Sequence, residues 1–185
     1  MLVTSFEIGT VRRLTIDGTG TLMDTGEALF SGGRPNNVFC APGGMSGIVI
    51  TRDANQIRSF TILGLEAVNT RTLSGVFGIS GLINPVGDRV FTRSNSKVDI
   101  FGYHSTTGVL GAAPRLMIPI AGTTTYFGMD QMALSPNGST LYVSQPGALN
   151  VYDTSTGALL TSVTTTSIDR PTGVCFAPHG ANAVQ

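Results

Sequence analysis

The chain has 185 residues, eleven basic side chains balanced by eleven acidic ones, and only 12% charged residues, roughly half the usual share for a soluble domain. That balance excludes a strong electrostatic grip on nucleic acid or on an anionic membrane, and no continuously apolar stretch is long enough for a membrane-spanning helix. The length suffices to bury a real core, and 24 Gly residues suit short strands joined by tight turns.

Residues 1–7 have neither the basic nor the apolar segment of a secretion signal. They read as a strand, so the chain is expected to be cytoplasmic, or a piece of a longer secreted protein. From there β-branched and aromatic runs alternate with Gly, Pro, Asn, Ser and Thr clusters, the pattern of strands and turns. Strands are predicted at 2–5, 11–16 and 21–30, with a turn at Asp17-Gly18-Thr19-Gly20. Arg34-Pro35-Asn36-Asn37 reads as a connector, followed by strands at 38–40, 48–51, 56–62 and 65–73. Further strands are predicted at 82–83, 89–93, 97–103 and 114–120, with Gly111-Ala112-Ala113-Pro114 as an insertion before the last of these. The remaining strands fall at 131–134, 140–144, 148–153, 158–165 and 174–176.

A short phrase recurs through this series: apolar residues, then Ala, Asn or Ser, then Pro, any residue, and Gly. Its prolines, Pro42, Pro85, Pro136 and Pro178, stand 43, 51 and 42 residues apart. A period in the forties with four short strands per repeat is a propeller-blade period. The expected fold is therefore all-β: a β-propeller of four-stranded antiparallel blades, with about four blades' worth of chain. The blades span approximately 1–33 (lacking its first strand), 34–75, 76–122 and 123–169. Residues 170–180 supply the first strand of a further or closing blade. Three arrangements follow: part of a larger ring, a half-ring that pairs with a second copy, or a closed four-blade ring. An open arc leaves an apolar blade face in water at each end, which favours self-association.

The pairs Leu2-Val3-Thr4-Ser5 with Val11-Arg12-Arg13-Leu14-Thr15-Ile16-Asp17, and Leu141-Tyr142-Val143-Ser144 with Leu149-Asn150-Val151-Tyr152-Asp153, resemble the YVTN-type β-propeller repeat. Ile48-Val49-Ile50-Thr51 with residues 57–62 is a looser copy. The resemblance implies the propeller fold. Because that family includes lactonases similar to 6-phosphogluconolactonase, it also admits a lactone hydrolase. No catalytic pattern of those enzymes can be placed on residues of this chain.

Candidate chemistry is sparse. Arg34-Pro35-Asn36-Asn37-Val38 and Arg170-Pro171-Thr172-Gly173-Val174 each precede an inner strand, and Met129-Asp130-Gln131 is the matching stretch of another repeat. These place Arg34, Asn36, Asp130, Gln131 and Arg170 around a channel mouth, where Arg can clamp a carboxylate or phosphate. The alternative is that Arg-Pro merely connects blades, its Arg paired with a neighbouring carboxylate. No catalytic residue, cofactor or metal site is assigned. There is no Cys-x-x-Cys and no His pair at ligand spacing, and His104 and His179 fall in turn types expected at opposite ends of their hairpins. Cys40 and Cys175 are expected as buried free thiols, and Asp17 and Asp153 as acceptors of turn N–H groups. The absence of clustered catalytic residues thus favours a non-enzymatic binding or scaffold module with a ligand or partner surface at the channel mouth. Its partner is a protein or small molecule, with no nucleic acid and no membrane insertion. A lactonase is the alternative and a structural repeat of a surface protein the third reading.

Overall fold

The computed structural model describes residues 1–120, 132–145 and 147–164, and all regular structure among them is β. The first sheet contains β1 (Leu2–Ser5), β2 (Thr10–Ile16) and β3 (Leu22–Phe30). The second contains β4 (Pro35–Cys40), β5 (Ser46–Thr51), β6 (Gln56–Thr61) and β7 (Ala67–Thr72). The third has β8 (Ser80–Ile83), β9 (Arg89–Arg93) and β10 (Lys97–His104), with β11 (Val109–Leu110) and β12 (Leu116–Pro119) both lying against β10. The fourth has β13 (Met132–Leu134), β14 (Thr140–Gln145), β15 (Ala148–Asp153) and β16 (Leu159–Thr164). Each sheet is an antiparallel meander in chain order.

The sheets fan around a common centre. β1 lies beside β4, β4 beside β8, and β8 beside β13, so successive innermost strands follow one another. The cause is visible in β5, where every residue is buried. Val49 joins Val11, Leu29, Phe60 and Leu65 between the first and second sheets. Its neighbours Ile48 and Ile50 point the other way, into a cluster with Val90, Phe101, Tyr103 and Leu110 between the second and third. Strand β9 repeats this: Val90 faces back, while Phe91 faces forward with Ile100, Leu141, Val143 and Tyr152. Consecutive side chains of a strand leave opposite faces, so a strand covered on both sides must be apolar at every position. Each such buried side chain contributes roughly 1.5–3 kcal/mol, which makes the sheet-to-sheet seams the main source of stability. The chain is therefore a β-propeller with about four blades' worth of sheet.

The turns are built by side chains close in sequence. Asp17 Oδ1 accepts the amides of Thr19 at 2.8 Å and Thr21 at 2.9 Å. Asp153 Oδ1 likewise accepts those of Ser155 at 2.9 Å and Thr156 at 2.8 Å, as expected for both. Asn84 Oδ1 does the same in a Pro turn, accepting the amides of Asp88 at 3.1 Å and Arg89 at 2.9 Å. Gly47 is small for a reason: a Cβ there would meet the Phe39 carbonyl oxygen at 2.7 Å and the Phe60 ring at 2.8 Å.

Several expectations need correction. Pro35, Asn36 and Asn37 are not a loop but the start of β4, with Pro at the strand's first residue, where its missing N–H does no harm. The predicted strand 114–120 is present as β12, and a short strand not expected from the sequence, β11, precedes the insertion. β11 pairs with Tyr103 and His104, and β12 with Lys97 to Ile100. The insertion between them lets Arg115 fold over Gly102, where a Cβ would lie 2.7 Å from the guanidinium. The Pro turns and the His104 turn share one end of the fan rather than opposite ends: the Tyr103 amide donates to the Asp88 carbonyl at 2.8 Å. Cys40 is exposed, not buried, although partial burial of its sulfur still pushes the thiol's pKa up. Its repeat equivalent Ile83, also two residues before a Pro, packs against the inner face of the second sheet. Cys40 faces the first sheet, where no described strand holds the matching place. Cys175 and His179 lie outside the described residues.

Candidate ligand face at one end of the fan

The connectors between the first three sheets and the loops that follow β1, β5 and β9 meet at the end opposite the Pro turns. They are tied by backbone bonds: Ser31 N to Gly9 O at 2.8 Å, Arg52 N to Arg34 O at 2.8 Å, and Asn95 N to Val76 O at 3.1 Å. Arg34 stands at this end, immediately before β4. Its guanidinium lies 5.4 Å from the centre of the Phe6 ring, and its Nε is 3.3 Å from Asp53 Oδ2. Both partners of that ion pair are about half exposed, so the pair contributes little to stability. Asn36 Nδ2 donates to the Gly78 carbonyl at 2.7 Å; its amide fixes the next connector. Asp130, Gln131 and Arg170 lie outside the described residues. Of the five sequence candidates, Arg34 and Asn36 are thus located at one end, one facing a ring and a carboxylate, the other holding backbone.

Sequence reasoning missed the neighbouring pair. Arg52 lies 5.8 Å from the centre of the Phe77 ring. Phe77 is 50% exposed, beside Val76 at 57%, and its backbone is in the left-handed region at φ 57°. A bulky residue there is a true conformational outlier, and such strain persists only where the surroundings enforce it. Just before it the connector is held by Asn55, itself at φ 49°, whose Nδ2 donates to the carbonyls of Leu73, at 3.2 Å, and Gly75. The only sequence signal was an isolated aromatic in a Gly-rich connector, Gly75-Val76-Phe77-Gly78. The result is two arginines stacked on two phenylalanines along one end of the fan. Stacking on an aromatic face is favourable for Arg and orients its planar fork of donors.

Arg93 was also missed. It is wholly buried between the third and fourth sheets, at the strand position that Ile50 holds in the second. Its Nη1 donates to the Ser144 carbonyl at 2.7 Å. Burial lowers its pKa to about 10, still leaving it cationic at neutral pH. Tyr103 is a second buried polar group, its hydroxyl 2.7 Å from Ser46 Oγ and its pKa raised by burial. Both lie in seams between sheets, remote from an open surface. Among the described residues no cluster of His, Cys, Asp and Glu could hold a metal, and no helix is long and apolar enough to cross a membrane.

The sequence matches no protein-family profile and no curated protein. Solved structures do match. A functionally unknown protein from Desulfotomaculum acetoxidans is 25% identical, with a TM-score of 0.78 over 91% of this chain and 55% of that one. A proposed 6-phosphogluconolactonase from Bacteroides fragilis is 18% identical, with a TM-score of 0.71 over 93% of this chain and 52% of that one. Sqt1 from Chaetomium thermophilum, bound to the N-terminus of the ribosomal protein L10, is 17% identical, with a TM-score of 0.72 over 92% and 46%. The chain thus spans about half the length of these propeller chains. The likeness establishes a lactonase-like and WD40-like propeller fold.

Proposed function

We propose that the chain is a YVTN-type propeller module that binds a protein segment at the end carrying Arg34, Arg52, Phe6 and Phe77. The observation that carries this reading is Phe77, half exposed and held at a positive φ beneath Arg52. A protein that only needed a connector there would gain stability by replacing it. Aromatic and Arg residues together are the side chains that dominate protein-binding surfaces. The fitting partner is an extended segment with acidic residues for the guanidiniums and an apolar residue for the Val76–Phe77 patch. Sqt1, a similar fold, is seen with a protein segment bound, which is compatible with this use of the scaffold.

The test is titration of the chain with a panel of acidic, neutral and basic peptides, followed by polarisation. Acidic peptides with one aromatic or aliphatic residue should bind, and Phe77→Ala or Arg52→Ala should weaken them about tenfold, roughly 1.4 kcal/mol. Equal binding of all peptides, or none, would remove the proposal. The second reading, a lactone hydrolase, is favoured only by the likeness to proposed 6-phosphogluconolactonases. Turnover of a sugar-phosphate lactone that is lost in Arg34→Ala would establish it.

A further inference from the structure

The two Arg–Phe stacks are built from the same two positions of the repeat. Arg34 and Phe77 each stand eight residues before the Pro of their repeat, Pro42 and Pro85. Phe6 and Arg52 each follow directly on a strand, β1 ending at Ser5 and β5 at Thr51, and those two strand ends pair alike with the strands that come next. The residue types are exchanged between the two stacks. The exchange sets both arginines at the ends of strands of the second sheet and leaves the rings to its neighbours. Across this end of the fan the order is Phe6 from the first sheet, Arg34 and Arg52 from the second, and Phe77 from the connector into the third. The Arg52 amide donates to the Arg34 carbonyl at 2.8 Å, so the two arginines leave facing backbone positions. Exposed apolar side chains extend the row on both sides: Ile8, 67% exposed, in the loop of Phe6, and Val76 beside Phe77.

This order has a complement. In an extended segment every second side chain points the same way, at intervals of about 6.6 Å. The guanidiniums of Arg34 and Arg52 lie 5.4 Å and 5.8 Å from the centres of their rings, close to that step. A segment laid across the row sets one side chain over the arginines, and those two before and two after it against the Phe6–Ile8 and Val76–Phe77 patches. Charge selects the central side chain. Like charges at facing backbone positions repel. Asp53 offsets only part of this, its carboxylate lying 3.3 Å from Arg34 Nε, and Glu7 is exposed in the loop of Phe6. A carboxylate on the ligand exchanges one single charge for another. A phosphate monoester brings close to two charges and three strong acceptor oxygens at neutral pH, which suits two planar forks of donors. We propose that the bound segment is phosphorylated: a phosphoserine or phosphothreonine sits over Arg34 and Arg52, with apolar residues two positions before and two positions after it. The proposal rests on the reading of this end as a protein-binding face and names the chemistry of its partner.

The test is fluorescence polarisation with the full chain and four labelled peptides of equal length. The first carries phosphoserine with Leu at both second neighbours. The second has Glu in place of phosphoserine, the third has unmodified Ser, and the fourth keeps phosphoserine but moves both Leu residues to the adjacent positions. The first should bind about tenfold tighter than the second, third or fourth. Lowering the pH from about 7.5 to about 5.5 should remove most of its advantage over the Glu peptide, because the phosphate takes up its second proton near pH 6. The described histidine, His104, stands at the opposite end of the fan. Arg34→Gln and Arg52→Gln should each abolish the preference for phosphoserine while circular dichroism keeps its β signal. Should either variant lose its fold, the pH profile of the unmodified chain carries the test. Equal affinity for the phosphoserine and Glu peptides, a preference unchanged by pH, or indifference to the Leu positions would overturn this proposal and leave an acidic-segment site standing. Absence of binding by all four peptides would overturn both. Inorganic phosphate or glucose 6-phosphate binding as tightly as the first peptide would assign the face to a small phosphate ester and overturn the peptide proposal.

Discussion

Adjacent residues of one strand should report on different seams, and this can be measured as coupling. Ile50 and Phe101 belong to the cluster between the second and third sheets, whereas Val49 belongs to the one between the first and second. All three are 0% exposed. Ile50→Ala should cost about 2–4 kcal/mol and Val49→Ala about 2 kcal/mol, since each leaves a cavity among tightly packed neighbours. Phe101→Leu should cost about 1 kcal/mol. Residues that share a cluster relax into one another's cavities, so Ile50→Ala with Phe101→Leu should depart from additivity by at least about 0.5 kcal/mol. Val49→Ala with Phe101→Leu should add within about 0.5 kcal/mol, although Val49 is next to Ile50 in the chain. Urea unfolding followed by circular dichroism gives every corner of both cycles. Equal coupling in the two cycles would refute the two-faced arrangement of β5, and so would additivity in both.

Further expectations concern turns and close contacts. The hydroxyl of Ser155, then the Thr156 amide and hydroxyl, hold the Asp153 carboxyl down at a pKa of about 2, against an ordinary 3.8. Its contribution is complete above the ordinary value and disappears as pH falls through the folded one. The gap in urea midpoint between the unmodified chain and Asp153→Asn should therefore shrink from about pH 5 to about pH 2; a gap constant across that range would contradict the turn's charge-assisted bonds. Gly47→Ala should lower stability by about 1–3 kcal/mol through overpacking, because its Cβ would meet the Phe39 carbonyl and the Phe60 ring below 3 Å; an unchanged melting curve would argue against that contact. Asn36→Ala removes the donor to the Gly78 carbonyl and should cost about 1 kcal/mol, read by the same unfolding assay; a neutral result would mean that water replaces it.

Much of the fold was legible because it is written locally. The Pro-x-Gly phrase marks the turn after each inner strand, and Asp17 and Asp153 sit where their carboxylates can reach amides two to four residues on. The unbroken apolar run Ile48-Val49-Ile50 announces a strand covered on both faces. What escaped depends on contacts distant in sequence. Arg93 reads as a polar break in β9, yet its burial is imposed by the fourth sheet, whose Ser144 carbonyl it reaches across 51 residues. Phe77 acquires significance only through Arg52, 25 residues earlier in the chain, and the connector it sits on is held by Asn55 from another loop. The exposure of Cys40 likewise depends on the first sheet it faces, not on its own neighbours in the chain. Arg34 was found from its repeat with Arg170, but its Phe6 and Asp53 partners come from loops on two different sheets.

The central claim is that short antiparallel sheets stack radially, each sharing one core seam with the next. Methyl-to-aromatic and methyl-to-methyl nuclear Overhauser contacts test it most directly. The account predicts that Val49 methyls see only members of the Val11–Leu29–Phe60 seam, while Ile48 and Ile50 methyls see the Val90–Phe101–Leu110 seam. Contacts from Val49 and Ile50 to one common set of residues would contradict it.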